Sequence, residues 1–375
     1  MRILLTCFSR SWGGLELQAV ELARQLQARN HSVWLACCPD SRLEQEALRL
    51  QLHALPFDVT GYVHPRLVWR MGKFISRNNI RLVHCQLSKD IATVVPAVKL
   101  SMADVPILLT RGMGSAISKK DPLHQLTYGN VSLVLAVSSV IHANVLETTP
   151  MTPERVITLP NGVDTSVFSP AHARGVEIRR EFGITPSAVV VGFVGRFSSG
   201  KGLEELLRAA DLVRRSRPDV RFLVIGETSY GEEEYAKRIR ALHASLDLKD
   251  TVVFAGYRRD IPNVMASFDI LAFPSHAEAF GVVLIEAMAM ELPVVASNSD
   301  GVLDIVVNEE TGILVPPRDH QLLAQGLLRL VEDPALRHRM GKSGRQRVLK
   351  HFDAQKLMER LEAIYASLLE EHDAT

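Results

Sequence analysis

Short apolar runs alternate with longer segments of helical periodicity along most of the chain, and this alternation constrains the fold more than any other feature. A short run rich in Val, Ile and Leu is typical of a strand that is buried on both faces of a parallel sheet. Parallel strands need a long crossover connection, usually a helix. The sequence therefore predicts an α/β protein with parallel sheets.

The alternation is interrupted once, which indicates two arrays. Turn-forming residues cluster at 160–164, the stretch 169–187 is polar and irregular, and the pattern then restarts. The strands expected in the first array are 3–8, 32–38, 82–85, 107–110 and 133–138. Those expected in the second are 189–194, 221–225, 251–254, 270–273, 293–296 and 312–315.

A chain of 375 residues is too long for one ordinary doubly wound domain, so two Rossmann-like domains are expected. We predict an N-terminal domain over 1–168, a linker over 169–187 and a C-terminal domain over 188–353. An amphipathic helix over 354–375 should return to the N-terminal domain. Open α/β sheets bind ligands beyond the carboxyl ends of their strands, and two such edges facing each other would form a cleft.

The composition is that of a soluble globular enzyme, with 47% hydrophobic and 23% charged residues. A net charge of +1 gives no indication of nucleic-acid binding. The chain opens as a strand rather than a signal peptide, and no apolar run approaches the roughly 20 residues that span a bilayer. We therefore expect a cytoplasmic protein, in which the four cysteines are buried, reduced thiols.

Charge is divided unevenly between the two halves of the chain. Residues 1–170 carry 17 Lys and Arg against 12 Asp and Glu, and the remainder carries 26 against 30. The basic half could attract an anionic acceptor or an anionic membrane, although the asymmetry could also be incidental.

The segment 273–288 is the richest in candidate site residues. A buried strand is followed by a polar loop, by Gly281 and by a helix. The free N–H groups at the start of such a helix suit an anion such as a diphosphate. Glu278 lies in the loop and Glu286 lies in the helix, where each carboxylate could accept hydrogen bonds from sugar or ribose hydroxyls.

The segment 193–202 offers two cations beside a glycine-rich turn. Arg196 and Lys201 follow a strand and precede a helix, so both could bind a diphosphate. The string fits G-x-x-x-x-G-K, but Gly202 stands where a P-loop needs Ser or Thr for Mg²⁺. An ATPase is therefore disfavoured, and solvated surface charge remains the alternative.

Further candidates follow strands of the first array. Gly13 and Gly14 let the backbone approach a ligand at a helix start, although the loop could simply be a tight turn. The loop lacks the G-x-G-x-x-G fingerprint of dinucleotide binding. His84 and Arg111 each end a strand, and no cluster has the spacing of a metal site.

Taken together, these segments resemble the retaining GT-B glycosyltransferases of family 4, in the expected order over nearly the whole chain. The resemblance rests on five elements: Gly13-Gly14, Pro160-Asn161-Gly162-Val163-Asp164 with Phe168, Gly195-Arg196 with Lys201-Gly202, the Glu278 and Glu286 pair, and the pattern of Gly301, Gly312 and Pro316.

This resemblance implies a retaining transfer of a sugar from a nucleotide-diphospho-sugar, with a UDP-sugar favoured, to a glycan or glycolipid acceptor. The N-terminal domain would take the acceptor and the C-terminal domain the nucleotide-sugar. Catalytic roles would fall to Arg196, Lys201, Glu278 and Arg111. The donor would contact Gly13, Gly14, Gly195, Tyr257, Arg258, Ala279, Phe280, Gly281, Val282, Val283 and Glu286. No metal and no cofactor would be required.

Two departures from the family pattern are visible. Arg111 stands where many members have His, and it could contact a charged sugar or acceptor instead, with His84 a weaker substitute for the missing His. Asp304 stands where Glu is commoner.

Arg66, Arg70, Lys73 and Arg77 form a basic stripe, which is either a solvated helix face or a contact with anionic lipid at the inner membrane. An acceptor in lipopolysaccharide, exopolysaccharide or lipid-linked glycan synthesis would fit that contact. A sugar-nucleotide epimerase, an NAD-dependent oxidoreductase and a non-catalytic binding protein of the same fold remain alternatives.

Overall fold

The computed structural model describes residues 1–59, 65–171, 174–228 and 231–374. The chain forms two compact units, of which the first comprises Met1–Asn161 with Lys356–Thr375 and the second comprises Gly162–Gln355. Each unit contains one sheet in which all described strand pairs are parallel. The predicted fold class of two α/β bodies with parallel sheets is confirmed.

The first unit is built on a seven-stranded sheet with the order β3-β2-β1-β4-β5-β6-β7. The strands are β1 (Arg2–Cys7), β2 (Ser32–Cys37), β3 (His53–Pro56), β4 (Leu82–Cys85), β5 (Ile107–Arg111), β6 (Leu133–Ala136) and β7 (Val156–Thr158). The helices are α1 (Gly14–Ala28), α2 (Arg42–Arg49), α3 (Pro65–Arg77), α4 (Ile91–Ser101), α5 (Pro122–Gly129) and α6 (Ser139–Thr148). The interior strands β4 and β6 are buried along their whole length, as their apolar sequences require.

The second unit is built on a six-stranded sheet with the order β10-β9-β8-β11-β12-β13. The strands are β8 (Val190–Val194), β9 (Arg221–Ile225), β10 (Val252–Gly256), β11 (Ile270–Phe273), β12 (Val294–Ser297) and β13 (Gly312–Val315). The helices are α7 (Gly175–Glu181), α8 (Leu203–Ser216), α9 (Glu233–Ser245), α10 (Ile261–Met265), α11 (Val282–Ala289), α12 (Val302–Ile305), α13 (His320–Glu332) and α14 (Pro334–His351).

In each sheet the strand order reverses beside the first strand of the unit. β1 lies between β2 and β4, and β8 lies between β9 and β11. Connections on opposite faces leave a crevice at such a point, outside the carboxyl ends of the strands. The residues that follow β1, β4 and β5, and those that follow β8 and β11, are therefore placed where an α/β sheet binds ligands.

The stretch 169–187, expected as a linker, belongs to the second unit and contains α7. The Arg179 guanidinium donates to the carbonyl oxygen of Ser267 at 2.9 Å and to the Asp269 carboxylate at 2.7 Å. The division between the units falls at Asn161 and Gly162 rather than after residue 168. Arg179 therefore fixes this polar stretch to the body of the second unit.

The final helix, α15 (Ala354–Asp373), supplies most of the second segment of the first unit. Met358, Leu361 and Tyr365 are buried in the core formed by β1, β2 and α1. At its start, the Ala354 N–H donates to the Val163 carbonyl oxygen. The helical spacing of these apolar residues explains why this face of α15 is buried.

The four cysteines are buried and reduced, as expected. Burial raises the pKa of Cys37 to about 12, so this thiol stays protonated at neutral pH. No helix in the described part of the chain is long and apolar enough to cross a bilayer.

Candidate active site

In the second unit, the loops that follow β8 and β11 are joined at the carboxyl edge of the sheet. The two strands are direct parallel neighbours. Beyond them, the His276 N–H donates to the Gly200 carbonyl oxygen at 2.8 Å. Gly202 has a φ of 73°, and a Cβ there would lie 2.1 Å from the Pro274 carbonyl oxygen. Glycine is therefore required where α8 begins, because any side chain would push the loops apart.

Lys201 and Glu278 form an ion pair across these loops. The Lys201 Nζ donates to the Glu278 Oε2 at 2.5 Å, and the two side chains are 23% and 18% exposed. The residues are 77 positions apart in the chain. A partly buried ion pair of this kind is more strongly coupled than a surface pair, because less water screens it.

Arg196 follows β8 and offers a second positive charge at the same edge. Its side chain is exposed and forms no hydrogen bond or ion pair with any other residue that the structure describes. Gly195 precedes it, and its N–H donates to the Ile225 carbonyl oxygen at 3.0 Å. The edge thus carries one cation paired with Glu278 and one that is available to an anion.

The start of α11 supplies amide groups beside Glu278. Gly281 has a φ of 102° and precedes the first turn of the helix. Val282 and Val283 lie in this turn, where backbone N–H groups have no intrahelical acceptor. Ala279 and Phe280 connect the turn to Glu278, whose carbonyl oxygen accepts from the Gly301 N–H at 2.9 Å. The geometry is that of a helix N-terminus open to an anion.

Close packing also fixes this loop. A Cβ on Gly301 would lie 2.2 Å from the Ala279 carbonyl oxygen, so only glycine fits there. The buried ring of Phe280 packs on Phe352 with centroids 5.9 Å apart. Asp300 was not among the predicted site residues, and its carboxylate accepts from the Glu278 N–H at 3.3 Å. A contact between residues on separate loops leaves no periodic pattern that could have revealed it.

Glu286 lies on α11, and its side chain is half-buried. Burial raises the pKa of Glu286 to about 7. This carboxyl group is therefore partly protonated near neutral pH. It has no ion-pair partner among the described residues. A carboxyl group in such a setting can accept a hydrogen bond from a neutral hydroxyl.

Tyr257 and Arg258 follow β10, the edge strand of the sheet. Tyr257 is exposed. The Arg258 guanidinium donates to Asp260 and Glu181 at 2.6 to 2.8 Å, and these two carboxylates raise its pKa. Arg258 thus has a structural partner on α7, a role that its position in the sequence did not predict.

In the first unit, Gly13 precedes α1 and Gly14 begins it. Gly13 is extended, with a φ of −171°, and a Cβ on Gly14 would meet nothing within 4 Å. Backbone strain therefore does not require glycine at position 13, and crowding does not require it at position 14. Two residues without side chains at the start of a helix allow a ligand to approach the backbone N–H groups.

Arg111 is the last residue of β5 and is 4% exposed. Its Nη1 lies 3.5 Å from the Tyr128 hydroxyl oxygen, and its Nε is buried without a partner in the described residues. His84, on the neighbouring strand, instead contacts Tyr365 through Nδ1 at 2.6 Å and Thr110 through Nε2 at 2.7 Å. Burial lowers the pKa of His84 to about 3, so the ring is neutral and has structural partners on both sides.

No group of three or more His, Cys, Asp or Glu side chains is arranged to hold a metal ion in the parts of the chain that the structure describes. The predicted site residues form two sets, a larger one in the second unit and a smaller one in the first.

Comparison with known proteins identifies the class of protein to which this chain belongs. The family model described as glycosyl transferases group 1 matches residues 176–347, and the model described as glycosyltransferase family 4 matches residues 12–167. The D-inositol 3-phosphate glycosyltransferase of Segniliparus rotundus is 30% identical over 332 residues, which cover 88% of this chain and 68% of that protein.

Two further proteins are similar to this chain, one in the sequence of about half of the chain and the other in fold. The capsular polysaccharide biosynthesis glycosyltransferase CapM of Staphylococcus aureus is 35% identical over 188 residues, which cover 49% of this chain and 47% of that relative. The structure of Anabaena HepE in complex with UDP and glucose superposes with a TM-score of 0.85 over 98% of this chain and 100% of that one, at 22% identity. The chain is an enzyme of the glycosyltransferase class with a GT-B type of fold. It belongs to the group 1 glycosyltransferases of family 4.

Proposed function

We propose that this enzyme transfers a sugar from a nucleotide-diphospho-sugar to a hydroxyl acceptor with retention of anomeric configuration and without a metal ion. The observation that carries the proposal is the convergence of Arg196, Lys201 and the first turn of α11 at the carboxyl edge of two adjacent strands. Two cations and a set of amide dipoles are the groups that stabilise the charge on a departing diphosphate.

In this reaction the C1–oxygen bond to the diphosphate breaks as the acceptor oxygen forms its bond to C1 on the same face. The acceptor proton passes to the departing diphosphate oxygen. Arg196 and Lys201 stabilise the negative charge that develops on the diphosphate. Glu278 accepts a hydrogen bond from a hydroxyl of the transferred sugar, and Glu286 accepts from the ribose hydroxyls. Gly195 allows close approach of the donor in the second unit, and Gly13 and Gly14 allow close approach of a ligand to the backbone of the first unit.

A UDP-sugar is the favoured donor. The HepE structure, which shares the fold, is described as a complex with UDP and glucose. Tyr257 lies exposed beyond β10, where it can pack on a base, whereas Arg258 is held by two carboxylates. For the acceptor we propose a glycan or glycolipid of lipopolysaccharide, exopolysaccharide or lipid-linked glycan synthesis. CapM, named for capsular polysaccharide biosynthesis, motivates this choice.

We further propose that the enzyme works at the cytoplasmic face of an anionic membrane, through α3. Arg66, Arg70, Lys73 and Arg77 are exposed on this helix, and none forms an ion pair within the described residues. Trp69 is 55% exposed beside them, and the Lys73 Nζ lies 4.6 Å from the centre of its ring. A tryptophan among basic residues is typical of a surface that contacts lipid headgroups.

Vesicle co-sedimentation tests this contact. Vesicles with anionic lipid should bind the protein at low salt and release it at high salt, and neutral vesicles should not bind it. Arg70→Gln with Lys73→Gln should weaken binding, whereas Lys249→Gln in the second unit should not. Equal binding by the two variants would exclude α3 as the contact.

A thermal-shift panel of UDP, GDP, ADP, CMP and dTDP tests the donor site, because a ligand of the native state raises the Tm. Sugars of the best nucleotide are then incubated with candidate acceptors, and the anomeric configuration of the product is read by NMR. Consumption of the sugar nucleotide without an acceptor, to give an isomeric sugar, would indicate an epimerase instead. The proposal fails if no nucleotide raises the Tm and none of the sugar nucleotides is consumed.

A further inference from the structure

The first unit contains a second set of positive charges that the diphosphate site does not use. Arg111 is almost fully buried at the carboxyl end of β5. One of its terminal nitrogens, Nη1, lies 3.5 Å from the Tyr128 hydroxyl oxygen, while its Nε has no partner in the described residues. A guanidinium carries five N–H donors, so most of this donor capacity has no acceptor among the described residues.

Lys119 belongs to the same cluster. Its Nζ donates to the Ser88 Oγ at 3.2 Å. Burial raises the pKa of the nearby Tyr128 hydroxyl, and the Arg111 charge and the Ser88 hydroxyl act to lower this pKa. Burial, and next the positive charge of Arg111, lower the pKa of Lys119. The two cations are thus close enough to repel each other, and the hydroxyl groups of Ser88 and Tyr128 complete the cluster.

No carboxylate in the described part of the chain balances these charges. Neither Arg111 nor Lys119 forms an ion pair there. Asp90, the buried carboxyl group at the start of α4, accepts instead from the Thr6 hydroxyl at 2.9 Å and from the Phe8 N–H at 3.4 Å. A buried cation without a counter-charge is costly, and the cost is recovered when an anion binds beside it.

We propose that Arg111, Lys119, Ser88 and Tyr128 form a binding site for one oxyanion, a phosphate or a carboxylate, that is carried by the acceptor. The assignment to the acceptor rests on the proposed function, in which the diphosphate of the donor occupies the second unit. A planar guanidinium can bind two oxygens of the oxyanion, and the ammonium group and two hydroxyls can bind the rest. The acceptor is therefore an anionic molecule, and its charged group is held by the first unit.

Calorimetric titration with inorganic phosphate, and separately with succinate, tests this site and distinguishes phosphate from carboxylate recognition. The ionic strength is held constant, and saturating UDP occupies the diphosphate site. Loss of one charged hydrogen bond corresponds to at least about 10-fold weaker binding. We expect Lys119→Gln to weaken binding of the preferred oxyanion by that factor. Lys120→Gln, the exposed neighbouring lysine, should leave it unchanged.

Arg111→Lys keeps a charge but loses the planar fork, so it should bind the oxyanion more weakly than the wild type and more tightly than Arg111→Gln. If Arg111→Gln does not fold, the comparison of Lys119→Gln with Lys120→Gln remains decisive because both side chains are accessible. Lys201→Gln separates the two sites, since it should weaken UDP binding and leave oxyanion binding by the first unit intact.

The proposal is overturned if neither oxyanion binds saturably, or if Lys119→Gln and Lys120→Gln bind it equally well. A protein that binds phosphate through Lys119 but does not bind UDP would instead contradict the proposed donor and leave the oxyanion site standing.

Discussion

At the scale of single residues, Lys201 and Glu278 form an ion pair with 2.5 Å between Nζ and Oε2, while the Arg196 side chain on the adjacent turn has no hydrogen-bond or ion-pair partner among the described residues. In the proposed function, a diphosphate would share or replace the ion pair at Lys201, whereas it would meet no such competition at Arg196. We therefore expect the two cations to contribute differently to donor binding.

Replacing either cation should slow the reaction. We expect Arg196→Ala and Lys201→Ala to reduce kcat by roughly 10²–10³-fold, the scale for loss of one charge-stabilising donor. Arg208→Ala, an exposed change on α8, is the matched control and should leave kcat unchanged. Initial rates of UDP release with the best sugar nucleotide and acceptor measure the effect. Unaltered rates in both active-site variants would refute the assignment.

The elevated pKa of Glu286 gives a pH dependence of stability. The folded state holds a proton on this carboxyl group up to about pH 7, whereas the unfolded chain releases it near 4.5. Folding therefore takes up a proton in this interval, and the contribution of Glu286 to stability falls as pH rises from about 4.5 to about 7. Glu286→Gln should remove this slope. The Tm difference between the two proteins, measured across the interval, reports it, and a constant difference would contradict it.

At the scale of elements, α15 joins the first unit through both apolar and polar contacts. Tyr365 is fully buried, its ring packs edge-on against His84, and its hydroxyl contacts the Nδ1 of that histidine. Glu362, on the same helix, pairs with Arg29 and His31 at 2.9 and 2.7 Å. The helix therefore contributes to the core of this unit rather than merely covering it.

Removal of the tyrosine hydroxyl should destabilise the first unit. Tyr365→Phe leaves the buried Nδ1 of His84 without a partner, which costs about 1–3 kcal/mol. Ser367→Ala, an exposed change two residues further along α15, should alter the free energy of unfolding much less. Urea unfolding followed by circular dichroism gives both values. Equal stability of the two variants would show that the contact contributes nothing measurable.

Elements with a continuous apolar signal could be predicted from the sequence, and those without one could not. β4, β9, β11 and β13 were predicted at their observed bounds because each is a short buried run between polar segments. The short strands β3 and β7 were missed. β3 is a peripheral strand that contains His53 and Pro56, and β7 has only three residues, so neither provides a distinct pattern.

The sequence placed the candidate site residues relative to strands and helices, but it did not predict their contacts. The motifs placed Arg196, Lys201 and Glu278 in loops that follow strands, and Glu286 in the helix after Gly281. Spacing along the chain could not reveal that Glu278 pairs with Lys201, or that Glu181 and Asp260 engage Arg258. These partners depend on loops and helices brought together by the tertiary fold.

At the scale of the whole molecule, the two units differ in how many segments of the chain they contain. The second unit is one continuous segment, Gly162–Gln355, whereas the first needs both Met1–Asn161 and Lys356–Thr375. The core of the first unit therefore combines residues that are distant in sequence, whereas the core of the second comes from one segment.

A shortened chain that ends at Gln355 should therefore lose protection in one unit only. Each of Met358, Leu361 and Tyr365 contributes about 1.5–3 kcal/mol of burial to the first unit. Amide hydrogen exchange should become much faster over 1–161 and stay unchanged over 162–355. A chain that ends at Asp373 is the control and should match the full chain. Uniform acceleration in both units would show that their stabilities are coupled.

Because the first unit is built from two separate segments of the chain, the order of synthesis affects when its fold can be completed. A ribosome makes Met1–Asn161 first, yet the helix that fills its core emerges only after all of Gly162–Gln355 has been translated. The unit that begins first is thus completed last. The middle of the chain can finish folding earlier, which reverses the usual order in which domains mature along a nascent polypeptide.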